Sequence, residues 1–345
     1  MARPDGKAKP ATMREVAALA HVSIGTVSNV LNAPARVAEP TAQRVLAAID
    51  QLGWVPNQSA RQLRTGRSQA VGLVVLDVAN PFFTDLALGA EDVLYHHDYS
   101  VYIGNSDQQL EREAWLLRQF EQQKTRGVLL ASVADSTDAV AQLRRAGIPA
   151  VMVDRAQADN ACSVGCDDFA GGKLALDHLI ALGHRRIAFV GGPDNLAQVR
   201  RRRAGAEAAI RSVGGQADLL IIPTPALAIN PGVTAAARIV ALPVGQRPTA
   251  VFAANDLLAI GLLQAFVAAG LSVPEDMALI GYDDIPFAAS SAVPLSSVRQ
   301  PCFEIGARAA GLLIDEITAL DDRQPHAHES VLLTPVLVPR ASTIG

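Results

Sequence analysis

The residues best placed to do chemistry in this chain are polar groups that follow short apolar runs. Asn80 comes after the run Ala70–Leu76, and Asp154-Arg155 come after Pro149–Val153. Asn255-Asp256 follow AVFAA, and Asp283-Asp284 follow ALIGY. Carboxylates, amides and a guanidinium that converge can hold a hydroxyl-rich molecule through paired hydrogen bonds, while Phe82 or Phe83 can stack on a sugar face. Each residue taken singly could equally be a helix N-cap, a role that suits Asp256 and Asp284. A second group, Gly25, Thr26, Ser28 and Asn29, opens a short helical pattern. Small polar residues there can reach base edges and phosphates in a major groove, although the same helical pattern also occurs in plain helical bundles.

Catalytic constellations are absent. The chain has no GxSxG elbow, no HExxH and no Walker loop, since GGKLA lacks the upstream glycine and the Ser/Thr. Gly191-Gly192-Pro193 is not a dinucleotide fingerprint. Adjacent Asp283 and Asp284 are poorly arranged to work as acid and base on one cavity. The expectation is a protein that binds and does not catalyse.

The elements that must position these residues fall into two styles. Thr12 to Glu15 form a capping box, and Val16, Leu19 and Ala20 then recur at helical spacing. His21-Val22-Ser23 is a turn. Ser23 caps a second helix from Ile24 to about Leu31, with Val27, Val30 and Leu31 inward, and Asn32-Ala33-Pro34 stop it. A third helix starts near Pro40 and reaches about Leu52, with Val45, Leu46, Ile49 and Leu52 inward. Two short helices and a tight turn, backed by a third, make a helix-turn-helix unit. Gly53 to Pro56 then break the chain, and Asn57 to Arg64 could form two helical turns. A helix that short is marginal alone and needs a partner.

From Ala70 the period changes. Short apolar strands (101–103, 127–131, 149–153, then 186–192, 219–222, 250–252 and 278–280) alternate with helical stretches, one of them Phe82 to about His97. That alternation implies parallel sheets covered on both faces, and two such series imply two similar lobes. Ligands of open α/β sheets bind beyond the carboxyl ends of the strands, where the polar residues above stand.

Charge separates the two styles. Residues 1–67 hold nine Lys/Arg and four Asp/Glu, a net of +5. The remainder carries −9, so a basic head suited to a polyanion precedes an acidic body. Half of the residues are apolar and 19% are charged, which is a globular composition. No apolar run reaches membrane-spanning length, and MARPDGKAKPATMREV has neither an apolar core nor a cleavage site, so a cytoplasmic protein without membrane contact is expected. Three cysteines give no disulfide framework. Cys162 and Cys166, in ACSVGC, read as buried thiols without nearby histidines, and neither a metal nor a cofactor is expected.

The motifs also carry a family likeness. HVSIGTVSNVLN, followed by RVAEPTAQRVLAAIDQLGWVPNQSARQLRTGRS, resembles the head and hinge of the lactose-repressor (LacI/GalR) family. NPFF, VDR, LIALGHRRIAFVGGP, AVFAANDLLAIG, GYDDIPFA and SSVRQP resemble its effector domain, whose fold is similar to periplasmic sugar-binding proteins. The likeness implies a sequence-specific transcriptional regulator that binds pseudo-palindromic double-stranded operator DNA as a homodimer under control of a small molecule, a sugar or a sugar derivative. It also implies that Ile24, Gly25 and Asn29 read bases within a DNA-facing set of Thr12, Ser23, Ile24, Gly25, Thr26, Ser28, Asn29, Asn32, Asn57, Ala60 and Leu63. In that set Leu63 is a wedge between base pairs. The effector set it implies is Asn80, Phe82, Phe83, Asp154, Arg155, Arg202, Asn255, Asp283 and Gln300. Asn29 stands where many members have arginine, and His21 where many have glycine. Histidine tolerates a left-handed backbone, so the turn should survive.

The implied organisation is a tail (1–10), a helix-turn-helix domain (11–56), a hinge helix (57–66) and an effector domain (70–345). Lobe 1 is expected over about 70–167 and 298–328, and lobe 2 over about 168–297 and 329–345. A sugar-transport protein would fit the body but not the basic head. A DNA-binding protein with a ligand-deaf body is the third alternative.

Overall fold

The structure, a computed structural model, describes residues 11–55, 68–133, 138–155 and 160–344. It divides into two compact units, Met1–Arg67 and Ser68–Gly345. The hinge expectation, with Asn57, Ala60 and Leu63, lies outside the described residues.

In the first unit, α1 (Met13–Leu19) begins at Thr12. The Thr12 hydroxyl accepts from Glu15 N at 3.4 Å while the Glu15 carboxylate accepts from Thr12 N at 2.7 Å, which is the expected capping box. His21 turns the chain with φ 53°, so this histidine does adopt the left-handed conformation. Ser23 caps α2 (Ile24–Asn32) by accepting from Thr26 N at 3.0 Å. α3 (Glu39–Leu52) carries proline in its first turn and ends at left-handed Gly53. Val16, Ala17, Ala20, Val27, Val30, Val45, Ala48 and Trp54 form the core. Leu46, expected inward, is 53% exposed, and Leu19, at helical spacing with Val16 and Ala20, is 38% exposed. Three short helices leave little space between them, so Ala17 and Ala48 take positions that larger leucines would overfill.

The second unit holds two six-stranded sheets. β1 (Ala70–Val75), β2 (Ser100–Asn105), β3 (Gly127–Leu130), β4 (Ala150–Val153), β5 (Cys162–Cys166) and β11 (Ser330–Leu333) pair in the order β11-β5-β4-β3-β1-β2, all parallel. β6 (Arg186–Gly191), β7 (Asp218–Pro223), β8 (Ala250–Ala253), β9 (Ala278–Asp283), β10 (Ser296–Arg299) and β12 (Val336–Val338) pair in the order β12-β10-β9-β8-β6-β7. In this sheet β12 runs antiparallel to β10, a departure from the all-parallel expectation. The expected lobe boundaries also shift. β10 lies wholly in the second sheet, and β11 pairs with β5 in the first, so the chain crosses after Arg299 and again after Leu333. The apolar SVLL finds a parallel neighbour in β5, and Pro335 ends that pairing.

Helices cover the sheets. α4 (Pro81–Tyr95) and α5 (Leu110–Gln122) belong to the first lobe with α6 (Asp138–Arg145) and the later α12 (Cys302–Asp321). α7 (Asp168–Ala181), α8 (Ala197–Ser212), α9 (Ile229–Val240), α10 (Asp256–Ala268) and α11 (Pro286–Ser290) belong to the second. α7 and α8 touch backbone to backbone. A Cβ on Gly172 would strike the Arg202 carbonyl, and one on Gly205 would strike the Phe169 carbonyl. That close approach carries Arg202 to the floor of the space between the lobes.

Candidate functional site

The carboxyl ends of the two sheets meet across a cleft. Leu76, Asp77, Asn80, Phe82, Phe83, Gln108 and Asp154 line it from one lobe; Gln198, Arg202, Leu227 and Asp283 line it from the other, with Gln300 at a crossover. Two hydrogen bonds join the lobes directly: Asn80 Nδ2 donates to Asp283 Oδ2 at 3.2 Å, and Gln198 Nε2 donates to Asp154 Oδ2 at 3.1 Å. Only about 20 Å³ remains between them. That suffices for little more than one water, so a larger guest must part these contacts.

The floor is an ion network. Arg202 is buried, donates from Nε to Asp168 Oδ1 at 2.8 Å and from Nη1 to the Ala254 carbonyl at 2.7 Å, and lies 3.6 Å from Asp283 Oδ1. Its guanidinium carbon stands 3.8 Å from the ring centre of Tyr282, a cation–π contact. Gln300 Nε2 donates to Asp283 Oδ1 at 2.8 Å. Burial is the main force raising the carboxyls of Asp154, Asp168 and Asp283 above their ordinary range. For Asp154 the neighbouring Asp168 adds to the rise, and Arg202 opposes it. Asp154 and Asp283 sit at strand ends with φ 56° and 102°. Left-handed backbone at non-glycine residues costs of order 1–3 kcal/mol and persists where the surroundings over-determine it. Here it turns both carboxylates into the cleft.

Not every polar oxygen in the cleft has a partner. Asp154 Oδ1, Gln300 Oε1 and Gln108 Oε1 are buried without a hydrogen-bond partner among the described residues. All three are acceptors, and all three line the same cavity. A guest rich in hydroxyl donors would satisfy them.

The expected effector residues separate accordingly. Asn80, Phe82, Phe83, Asp154, Arg202, Asp283 and Gln300 come together at the cleft, with Phe82 and Phe83 edge-on at 4.8 Å. Arg155 is not among the residues that line it; its backbone N donates to the Val164 carbonyl and its guanidinium acts on Glu113. Asn255 does not line it either. Its side chain caps α10 by accepting from Leu258 N at 3.0 Å and donates to the Leu227 carbonyl. The capping role expected of Asp256 thus belongs to Asn255. Asp256 is fully buried and accepts from Ile285 N and Ser297 Oγ. Asp284 is no cap either, since Arg299 and Arg340 hold it. Gln108, Gln198 and Asp168 were not anticipated. Gln108 and Asp168 stand just beyond β2 and β5, where the strand-end rule applied to every strand would have found them, whereas Gln198 lies in the first turn of α8 and carries no such signal.

On the head, Ser23, Ile24, Gly25 and Asn29 are exposed at the start and along one face of α2, while Thr26 and Ser28 are half-buried. The hydroxyls of Ser23 and Thr26 contact each other at 2.9 Å within the cap, leaving Ile24, 45% exposed, as the prominent apolar group of that turn. Asn32 is the last residue of α2, and Thr12 caps α1.

A helix-turn-helix head on a two-lobed α/β body with a polar cleft defines a ligand-responsive DNA-binding regulator. Residues 12–57 match the profile of bacterial regulatory proteins of the lacI family, and residues 176–343 match the periplasmic binding protein-like domain. The chain is 34% identical over 333 residues to the ribose operon repressor of Bacillus subtilis (strain 168), covering 96% of this chain and 98% of that one. A LacI family transcriptional regulator from Enterococcus faecium, solved with bound ribose, is 32% identical with a TM-score of 0.70 over 79% of this chain and 98% of the other. The Lac repressor dimer bound to operator and the anti-inducer ONPF is 26% identical with a TM-score of 0.83 over 98% and 100%. The chain belongs to the lacI family of bacterial regulatory proteins, a family of transcriptional regulators and not of enzymes. No described helix is long and apolar enough to cross a membrane.

Proposed function

We propose that this chain is a repressor that binds a pseudo-palindromic operator as a homodimer and is controlled by a small carbohydrate, a pentose of the ribose type, held between the lobes. The observation that carries the sugar reading is the set of three acceptors without a partner among the described residues, Asp154 Oδ1, Gln300 Oε1 and Gln108 Oε1, in one cavity with Phe82 and Phe83. Ribose in the related regulator and the name of the Bacillus relative support the same class.

The mechanism is a choice between lobe positions. The Asn80–Asp283 and Gln198–Asp154 bonds join the lobes directly, and a sugar would replace them with bonds through its hydroxyls. A ligand that favours one lobe position by several kcal/mol moves most of the population. Coupling to DNA would run through residues 57–64, which lie outside the described residues; of these, Asn57, Ala60 and Leu63 would contact operator, with Leu63 as the wedge. The exposed Ile24, Gly25 and Asn29 would read bases, and the shorter amide of Asn29 would set an operator different from that of arginine-bearing relatives.

For the dimer, the first lobe offers exposed Leu88 and Tyr95 on α4, Tyr102 and Ile103 on β2, and Trp115 on α5. Apolar groups in such number on one lobe suit a partner copy. The test is selection of DNA sites by the full chain with and without ribose, other pentoses and hexoses, alongside calorimetry for each sugar. The expected result is a two-fold symmetric site whose occupancy changes with one pentose; the direction of change tells whether the sugar releases or recruits DNA. Heat from no sugar would overturn the effector reading, and absence of a preferred site would overturn the DNA reading. Leu63→Ala should weaken specific binding more than non-specific binding, and equal loss on both would remove the wedge.

A further inference from the structure

The far end of the first sheet, away from the cleft, gathers a second set of chemistry-bearing side chains. Cys162 opens β5, and Asp154 stands at the opposite, cleft end of the neighbouring strand β4. Glu316 lies on the penultimate turn of α12, only 5% exposed, and His326 and His328 stand on the link from that helix to β11. Parallel pairing of β11 with β5, starting at Ser330 opposite Ser163, brings the link beside Cys162. The expectation that this cysteine has no histidine nearby therefore fails. His326 Nε2 is 3.2 Å and His328 Nδ1 3.7 Å from its sulfur. Glu316 Oε1 is 3.1 Å from His328 Nδ1 and 3.9 Å from His326 Nε2. All four ligand atoms lie within 4.8 Å of one another.

We propose that this cluster is a binding site for a borderline-soft divalent transition metal of the zinc class, held by Cys162 Sγ, His326 Nε2, His328 Nδ1 and Glu316 Oε1. A tetrahedral ion about 2.3 Å from sulfur and about 2.0–2.1 Å from nitrogen and oxygen sets ligand–ligand edges of roughly 3.3–3.6 Å. The four edges given above bracket that range, so small side-chain shifts complete the shell. Around the sulfur, hydrogen bonding explains the arrangement only in part, because one thiol has a single weak proton and two ring nitrogens face it. Burial pushes the Cys162 thiol up to about 11, so the metal must displace a proton to solvent as it binds.

Arg144 is the neighbouring cation. Its Nη2 donates to Glu316 Oε1 at 2.7 Å and lies 3.2 Å from His328 Nδ1, and its Nη1 contacts His328 Nε2 at 2.8 Å, so it touches two of the four ligand atoms. With a metal on Nδ1, His328 carries its proton on Nε2, and Arg144 must release the ring while keeping the carboxylate. The Arg144 side chain is one-quarter exposed and also donates to the Asn160 carbonyl, so a metal would have to displace its guanidinium from the His328 ring. Such an ion would tie the end of α12 to β5 and to the link that leads back into the sheet, as a structural clamp separate from the sugar cleft.

The test uses the full-length chain, reduced, stripped with chelator and titrated with cobalt(II). One equivalent per chain is expected, with the strong visible bands of tetrahedral cobalt and a near-ultraviolet thiolate-to-cobalt charge-transfer band, both lost on adding zinc. Cys162→Ser should abolish the charge-transfer band. His326→Gln/His328→Gln should weaken binding by at least about 100-fold, with circular dichroism unchanged because both residues lie outside helix and strand. The double variant decides if Cys162→Ser does not fold. Cobalt bound without the thiolate band, or with the same affinity in the double histidine variant, would overturn the proposal.

Discussion

The two lobes place the same residue type at the same topological point and use it differently. Asn80 and Asn255 each follow a strand and cap the next helix, accepting from Phe82 N and Leu258 N. Asn80 spends its amide on Asp283 across the cleft, whereas Asn255 spends it on the Leu227 carbonyl within its own lobe. Asp154 and Asp283 form a second pair. Asp283 has both oxygens engaged, by Asn80 and by Gln300, but Asp154 keeps one oxygen without a partner among the described residues. A strand end supplies a position from which a side chain can reach a ligand; whether it does so depends on which neighbours have already claimed its hydrogen-bonding capacity.

That contrast can be broken at several points. The largest expected effect is at Arg202, the cation of the buried floor. Arg202→Met leaves Asp168 and Asp283 without their counter-charge and should cost about 3–5 kcal/mol in urea unfolding. The loss should shrink as pH falls, since protonation relieves stranded carboxylates. An equal loss at every pH would show that packing, not charge, is what Arg202 supplies.

Next comes the unpaired oxygen. Asp154→Asn should lower sugar affinity by about 10–100-fold in calorimetry, the range for a lost hydrogen bond to a charged group. The same substitution should raise the melting temperature of the sugar-free protein, because an ionised carboxylate no longer has to be buried. Asp283→Asn should do the reverse in emphasis, lowering stability first. If both variants lose affinity and stability alike, the two carboxylates are not distinct.

Protonation sharpens the same point. Burial raises the Asp154 carboxyl above its unfolded value, so the folded protein holds more protons between the ordinary carboxylate range and the raised value. Stability should therefore increase as pH falls through that window and decline as pH rises through the folded value, at up to about 1.4 kcal/mol per pH unit for one group. Thermal melts of the sugar-free chain should show this slope, flatter in Asp154→Asn. An unchanged slope would assign the effect to Asp168, Asp256 or Asp283.

The smallest effects separate the two asparagines. Asn255→Ala should cost about 1 kcal/mol as a lost cap and leave sugar affinity untouched. Asn80→Ala should cost the cap and change sugar affinity as well. Equal affinities in both variants would mean that the cross-cleft bond is incidental.

Much of this was legible in the residues. The Thr12–Glu15 capping box, the Ser23 cap and period-3.6 apolar positions are local, so the three head helices follow from sequence, as do the alternating strands and helices of the body. The misses have a common form. Leu46 faces solvent because neighbouring helices decide which side of a short helix is covered. Arg155 is absent from the cavity lining although it adjoins Asp154, because the backbone at Asp154 is left-handed and neighbours in sequence need not share a cavity. β11 joins the first sheet, against the expected boundary, because strand pairing over more than 160 residues leaves no local mark.

Sequence alone determined the two styles of structure, the basic head and the strand ends where a ligand could meet polar groups, since those depend on periodicity, charge and turn chemistry along the chain. Only the tertiary structure decided which strand-end groups share a cavity, which oxygens stay unpartnered and that Cys162 meets His326, His328 and Glu316. Hydrogen-bonding capacity is limited, and its allocation is settled between residues far apart in the chain, so it can be read only when they are seen together.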